Sequence, residues 1–190
     1  MGTTGLVAAL LLVSGIAQAE TGPKLIPTRD VDITYRVTRP NEQPFKWRVR
    51  WNAGSAMERV DGPGGSVVLV NHKTHDETLL NSKTRTYVKV DVPSDNLLDQ
   101  APDAPVTRQG NSRIAGLSCT DWAWTDNDDQ QPHTICVTED GVRLREIIAG
   151  KTVMLAKSVK YRKLKGKMFE IPSDYEPSLS PSGAQGTSTD

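Results

Sequence analysis

From Asp30 to Pro177 the chain is written in period two: short runs alternate apolar with polar residues, and Asn-, Asp- and Gly-bearing turns separate them. Successive side chains of a strand point to opposite faces, so each run describes a strand with one buried face. VDITYRVTR gathers Val31, Ile33, Tyr35 and Val37. FKWRVRWN gathers Phe45, Trp47, Val49 and Trp51 against Lys46, Arg48, Arg50 and Asn52. SVVLVNHKTHDETLLNSKTRTYVKVD holds three strands with cores at 67–70, 77–80 and 86–90, and GLSCTDWAWT and HTICVT are two more. Asp140-Gly141, Gly150 and Asp61-Gly-Pro-Gly-Gly65 are turn signals. About ten strands at this spacing predict a mainly β domain, a curved antiparallel sheet or barrel.

One stretch reads as helix. In PSDNLLDQAP, Pro93–Pro102, Ser94 or Asp95 is placed to cap, and Leu97 and Leu98 form the apolar face. It is expected to cover the inner side of the sheet. Two of the four tryptophans and one of the two phenylalanines lie on one face of FKWRVRWN. An exposed aromatic forgoes roughly 1.5–3 kcal/mol of burial, so something must cover that face. The options are the helix, the segment Phe169-Ile171-Tyr175, a partner or a ligand. Periodicity leaves two readings open: a filled core, or a core that also lines a cavity.

The ends carry other information. Leu6–Ile16 is apolar, too short to span a bilayer, and followed by Ala17-Gln18-Ala19. That pattern predicts a secretory signal cleaved after Ala19, although MGTTG contributes no Lys or Arg. The expected organisation is a signal peptide at 1–19, a lead-in at 20–29, one domain at 30–177 and a disordered tail at 178–190. No later run is apolar enough to span a membrane. With 23 basic and 23 acidic residues the chain is neutral, which argues against a nucleic-acid partner. Cys119 and Cys136 are the only cysteines, and in an exported chain they are expected to pair. Both lie in predicted strands flanking a DNDDQQPH turn, and a bridge closing about 17 residues contributes roughly 3 kcal/mol.

Catalytic chemistry is not legible. His72 and His75 in HKTH are expected as solvent-exposed turn residues, since strand positions i and i+3 face opposite ways. DNDD, Asp126–Asp129, lacks the Gly and the Glu of a calcium loop. No serine sits in a Gly-x-Ser-x-Gly turn, and GPGGS lacks the lysine of a phosphate loop. No enzyme, metal or cofactor is expected. The one lopsided charge run is KSVKYRKLKGK, with Lys157, Lys160, Arg162, Lys163, Lys165 and Lys167 and no acid. It reads as an edge strand guarded by lysines, Val159 and Tyr161 turned inward, or as a contact for anionic headgroups.

Three stretches in this order carry a resemblance. They are the ladder VVLVNHKTHDETLLNSKTRTYVKV, the pair RIAGLSCTDWAW and CVTEDGVRLRE, and the closing FEIPSDYEP. The chain resembles the periplasmic half-barrel superfamily of the lipoprotein carrier LolA and the sensor RseB, nearest to small exported domains of unknown function. The resemblance implies a half-barrel and a non-enzymatic periplasmic protein whose cavity takes a lipid, an acyl chain or a lipidated partner. Tyr35, Phe45, Trp47, Val49, Trp51, Leu97 and Leu98 are then the ligand-facing set. The alternative is an envelope module with a filled core that presents a sheet edge or its basic strand to another protein.

Overall fold

The computed structural model describes residues 22–91, 102 and 104–178, in which the alternating runs form twelve strands of one sheet. These are β1 (Val31–Val37), β2 (Phe45–Asn52), β3 (Met57–Asp61), β4 (Ser66–Asn71), β5 (Asp76–Asn81), β6 (Thr86–Asp91), β7 (Thr107–Ile114), β8 (Leu117–Thr125), β9 (Pro132–Val137), β10 (Arg143–Ile148), β11 (Lys151–Tyr161) and β12 (Glu176–Pro177). The spatial order is β12-β6-β5-β4-β3-β2-β1-β11-β10-β9-β8-β7. All pairs are antiparallel except β12 on β6. Among the described residues no helix is long and apolar enough to cross a membrane. The expected signal peptide, the Leu97-Leu98 helix and most of the expected tail lie outside the described residues.

The turns explain why the ladder closes so regularly. Asn52, Asn71, Asn81 and Asp126 each accept backbone N–H bonds on a side-chain oxygen, from Ser55, Lys73, Lys83 and Asp128 at 2.9–3.0 Å. Four residues after each, Ala56, His75, Arg85 and Gln130 adopt positive φ. Asx side chains that bond the backbone ahead of them are what make such turns cheap.

The strand count exceeds the expected ten. β3 was hidden because its outward residues Arg59 and Asp61 are ion-paired instead of apolar, and β12 is only a two-residue strand held by β6. A second correction concerns the basic run. β11 is no edge strand: β1 pairs it on one side and β10 on the other. The pairing of β1 with β11 joins residues more than 100 apart, which local pattern does not encode. Val159 and Tyr161 are half-buried and Lys160 is exposed, as alternation requires.

Each face of the sheet has its own packing. Val31, Ile33, Tyr35, Val37 and Trp51 cluster with Val142 and Leu144 and with the Cys119–Cys136 bridge. That bridge joins neighbouring β8 and β9, with Cα atoms 5.4 Å apart. On the other face, Val67, Leu69 and Leu80 pack with Tyr87, Ile171 and Tyr175. Register separates the two. Trp51 stands opposite Glu58, and Glu58 opposite Val70, so Leu69 points the other way. The Phe169–Tyr175 segment therefore covers the outer face, not the aromatic face of β2.

Candidate functional site

Alternation along β2 sends Trp47, Val49 and Trp51 to one face, and register sets them beside Tyr35, Ile33 and Val31 of β1. Val60 of β3 continues the row from Val49, and Glu58 the row from Trp51. Leu25, Ile26 and Pro27 cross this surface, Gly141–Arg143 close its end, and Met154 of β11 completes the wall. Between them is a cavity of about 80 Å³, several times what one water needs.

The strap at 22–29 is pinned where it crosses. The Trp51 indole N–H donates to the Pro27 carbonyl at 2.7 Å, and the Thr28 N–H to the Asp140 carbonyl at 2.9 Å. The Arg29 guanidinium pairs with the Asp140 carboxylate at 2.8 Å and lies 3.7 Å over the Tyr161 ring. Gly141 makes the crossing possible: its φ is +93°, and a Cβ there would sit 2.3 Å from the Ile26 carbonyl oxygen. Burial opposes ionisation of Asp140, but hydrogen bonds from Thr138, Arg29 and Tyr161 outweigh it and hold the carboxyl below its usual range.

Most polar groups of the cavity wall are engaged by the protein itself. The Tyr35 hydroxyl donates to the Arg143 carbonyl at 2.6 Å, and burial pushes its pKa upward. His72 and Glu58 meet at 2.9 Å, and the imidazole packs edge-on against Trp51 at 4.9 Å between centroids. Burial raises the Glu77 carboxyl, two strands from Glu58, and the Glu58 charge adds to it. The surface left over is mainly indole, aliphatic and proline.

Of the ligand-facing set expected from sequence, Tyr35, Trp47, Val49 and Trp51 line this cavity. Phe45 does not. It lies edge-on to Trp47 at 5.9 Å, with the Arg39 guanidinium 5.1 Å from its ring. Leu97 and Leu98 fall outside the described residues. His72 corrects an expectation: its side chain is 4% exposed, because the turn folds it back onto Trp51 and Glu58. Sequence reading missed Leu25-Ile26-Pro27, whose only signal was a short apolar run just ahead of the first strand. It also missed Gly141–Arg143, read only as a turn.

Within the basic run, Lys157, Lys160, Lys163, Lys165 and Lys167 are exposed. Arg162 is different. It hydrogen-bonds the Asp32 carboxylate, which Arg48 also grips through two nitrogens at 2.8 and 2.9 Å. Those bonds hold Asp32 down to about 2, the Arg48 bond leading, against the cost of burial.

The fold has known counterparts. An uncharacterized conserved protein from Thermus thermophilus matches at 13% identity with a TM-score of 0.59, over 80% of this chain and 90% of that one. MucB in the MucA/MucB complex of Pseudomonas aeruginosa matches at 14% and 0.55, over 76% of this chain and 56% of that one. PNGF-II matches at 12% and 0.50, over 79% of this chain and 31% of that one. The chain thus spans just over half of that MucB chain and under a third of PNGF-II. At these identities the likeness is one of fold alone. No curated protein matches the sequence significantly. A family model matches residues 46–145, from the second strand to the tenth, and the chain belongs to that family, described as Domain of unknown function (DUF4412).

Proposed function

We propose that this is a non-enzymatic protein of the cell envelope that binds an apolar ligand, a lipid or acyl chain, in the cavity beneath the 22–29 strap. One observation carries the reading. The walls are mainly apolar, and most of the polar atoms among them, Tyr35 Oη, Trp51 Nε1 and the Glu58–His72 pair included, are already bonded within the protein. Such a site offers a ligand burial and little else, which suits a hydrocarbon chain. Export with cleavage after Ala19 agrees with the Cys119–Cys136 bridge, since disulfides persist in oxidising compartments. A lipidated partner protein satisfies the same cavity. The test is native mass spectrometry of the exported protein together with displacement of a fluorescent fatty-acid probe. Co-purified lipid and saturable probe binding support the reading; a protein that carries no lipid and takes up no probe overturns it.

A second reading is an envelope protein-interaction module. Its support is that a structure of the same fold is a complex of two proteins, MucA with MucB. A protein partner retained through affinity purification, with no lipid bound, favours it over the first.

A further inference from the structure

The chain is neutral overall, but its charge is not evenly spread. The outer face of the central strands, opposite the cavity, is strongly basic. Register places Arg36 of β1 beside Lys46 of β2, Thr34 beside Arg48, and Asp32 between Arg50 of β2 and Lys160 of β11, with Arg162 just beyond; the Arg48 side chain reaches across to Asp32. Arg50 and Arg59 continue the row onto β2 and β3, largely covered, where Asp61 holds both and Arg59 also donates to the Met168 carbonyl at 2.9 Å. On this face of β11, β1, β2 and β3 seven cations meet two carboxylates, Asp32 and Asp61.

The positive charge is not cancelled locally. Asp32 is nearly buried beneath its two arginines, whose side chains remain 43% and 51% exposed. Lys46, Arg48, Lys160 and Arg162 rim a groove floored by the Thr34 and Ser158 hydroxyls and by Asp32. The Arg50 guanidinium is pushed down to about 10, first by burial and then by Arg48 and Arg59, and its Nε is buried without a hydrogen-bond partner. Cations crowded against one another in this way lower their mutual repulsion when an anionic group settles among them. Arginine forks and lysine ammoniums flanked by hydroxyls are the donors that carboxylates take.

We propose that this face docks an acidic, carboxylate-bearing segment of a partner protein. A bilayer fits less well. The cavity opens on the opposite face of the same strands, since Trp47 and Tyr35 alternate with Lys46 and Thr34. Headgroups laid on the basic face would turn the cavity away from the membrane. The segment does not add as a strand, because β1, β2 and β11 have neighbours on both sides. Recognition is through side chains, so it is steered by charge and screened by salt.

The probe is a short fluorescein-labelled peptide of alternating aspartate and glutamate, titrated by anisotropy against the disulfide-bonded chain. Binding is expected at low salt, falling as salt rises. Lys46→Glu with Lys160→Glu, neither of which is hydrogen-bonded to Asp32, is expected to weaken it roughly tenfold or more. Lys83→Glu with Lys151→Glu makes the same change in net charge on exposed residues off this face, and is expected to alter it by less than about twofold. Urea midpoints establish that each variant folds. If the first pair does not fold, Lys46→Gln with Lys160→Gln is expected to weaken binding in the same direction. Equal losses in the two pairs, or no binding by the wild type, overturn the proposal. So does binding to vesicles of phosphatidylglycerol and phosphatidylcholine, beyond that to phosphatidylcholine alone, without binding to the peptide. Uptake of the fatty-acid probe is expected to be the same in all these variants, which separates this site from the cavity.

Discussion

The Trp51 indole N–H donates to the carbonyl oxygen of Pro27 at 2.7 Å, tying the segment ahead of the first strand to the second. A tryptophan 4% exposed thus serves both as core and as the latch of the strap that roofs the cavity. Trp51→Phe keeps an aromatic ring but removes the donor and half of the indole. Stability is expected to fall by about 1–3 kcal/mol, from the lost hydrogen bond and the space the smaller ring leaves in the core. Urea unfolding measures that loss, and stopped-flow uptake of a fatty-acid probe is expected to quicken because the strap is held less firmly. Uptake no faster than wild type would show that the strap does not control access.

Trp47 and Trp51 are expected to respond differently to truncation. Trp51→Ala should cost roughly 3–5 kcal/mol, the range for emptying an aromatic from a core. Trp47 is half-buried beside the cavity, so Trp47→Ala should cost less and show its loss in probe affinity. If Trp47→Ala is as destabilising as Trp51→Ala and the wild type takes up no probe, the cavity is merely core.

Gly141→Ala is expected to destabilise by about 1–3 kcal/mol, because positive φ and contact with the Ile26 carbonyl both oppose a Cβ. Proteolysis of the folded protein should then cut within 22–29 sooner than in the wild type. A variant as stable and as resistant as the wild type would count against the crossing described above.

Acid should unfold the protein partly through Asp32. Its carboxyl is lowered from 3.8 to about 2 in the folded state. The stability it contributes is therefore complete above pH 4 and is lost as pH falls toward 2, up to about 2 kcal/mol in all. Asp32→Asn should be less stable at neutral pH and show a flatter decline between pH 4 and 2. Arg162→Ala, which removes one of the two arginines on Asp32, should shift the acid transition upward. A transition identical in wild type and Asp32→Asn would assign acid sensitivity to other groups.

No free thiol is expected in the folded oxidised protein, since Cys119 and Cys136 are bonded to each other. Cys119→Ser with Cys136→Ser should cost about 3 kcal/mol for a separation of 17 residues. Thiol titration in denaturant with and without reductant checks the first point, and thermal melts the second.

Much of this fold is local and therefore legible in the sequence. Period two assigns Phe45, Trp47, Val49 and Trp51 to one face and Lys46, Arg48 and Arg50 to the other, because successive strand residues cannot share a face. Asn71, Asn81 and Asp140-Gly141 mark their turns because side-chain acceptors and positive φ act within a few residues. The two cysteines lie in runs that become neighbouring strands. Tertiary structure decided the rest. Only packing sets β11 beside β1, which turns an expected edge into the centre of the sheet and brings Arg162 onto Asp32 across 130 residues. Only packing folds His72 onto Trp51, lays Leu25-Ile26-Pro27 over the cavity and sends Ile171 and Tyr175 to the other face. A strand's alternation says which side chains need cover, and the cover itself is chosen by contacts between residues far apart in the chain, whose energies exist only once the sheet has formed.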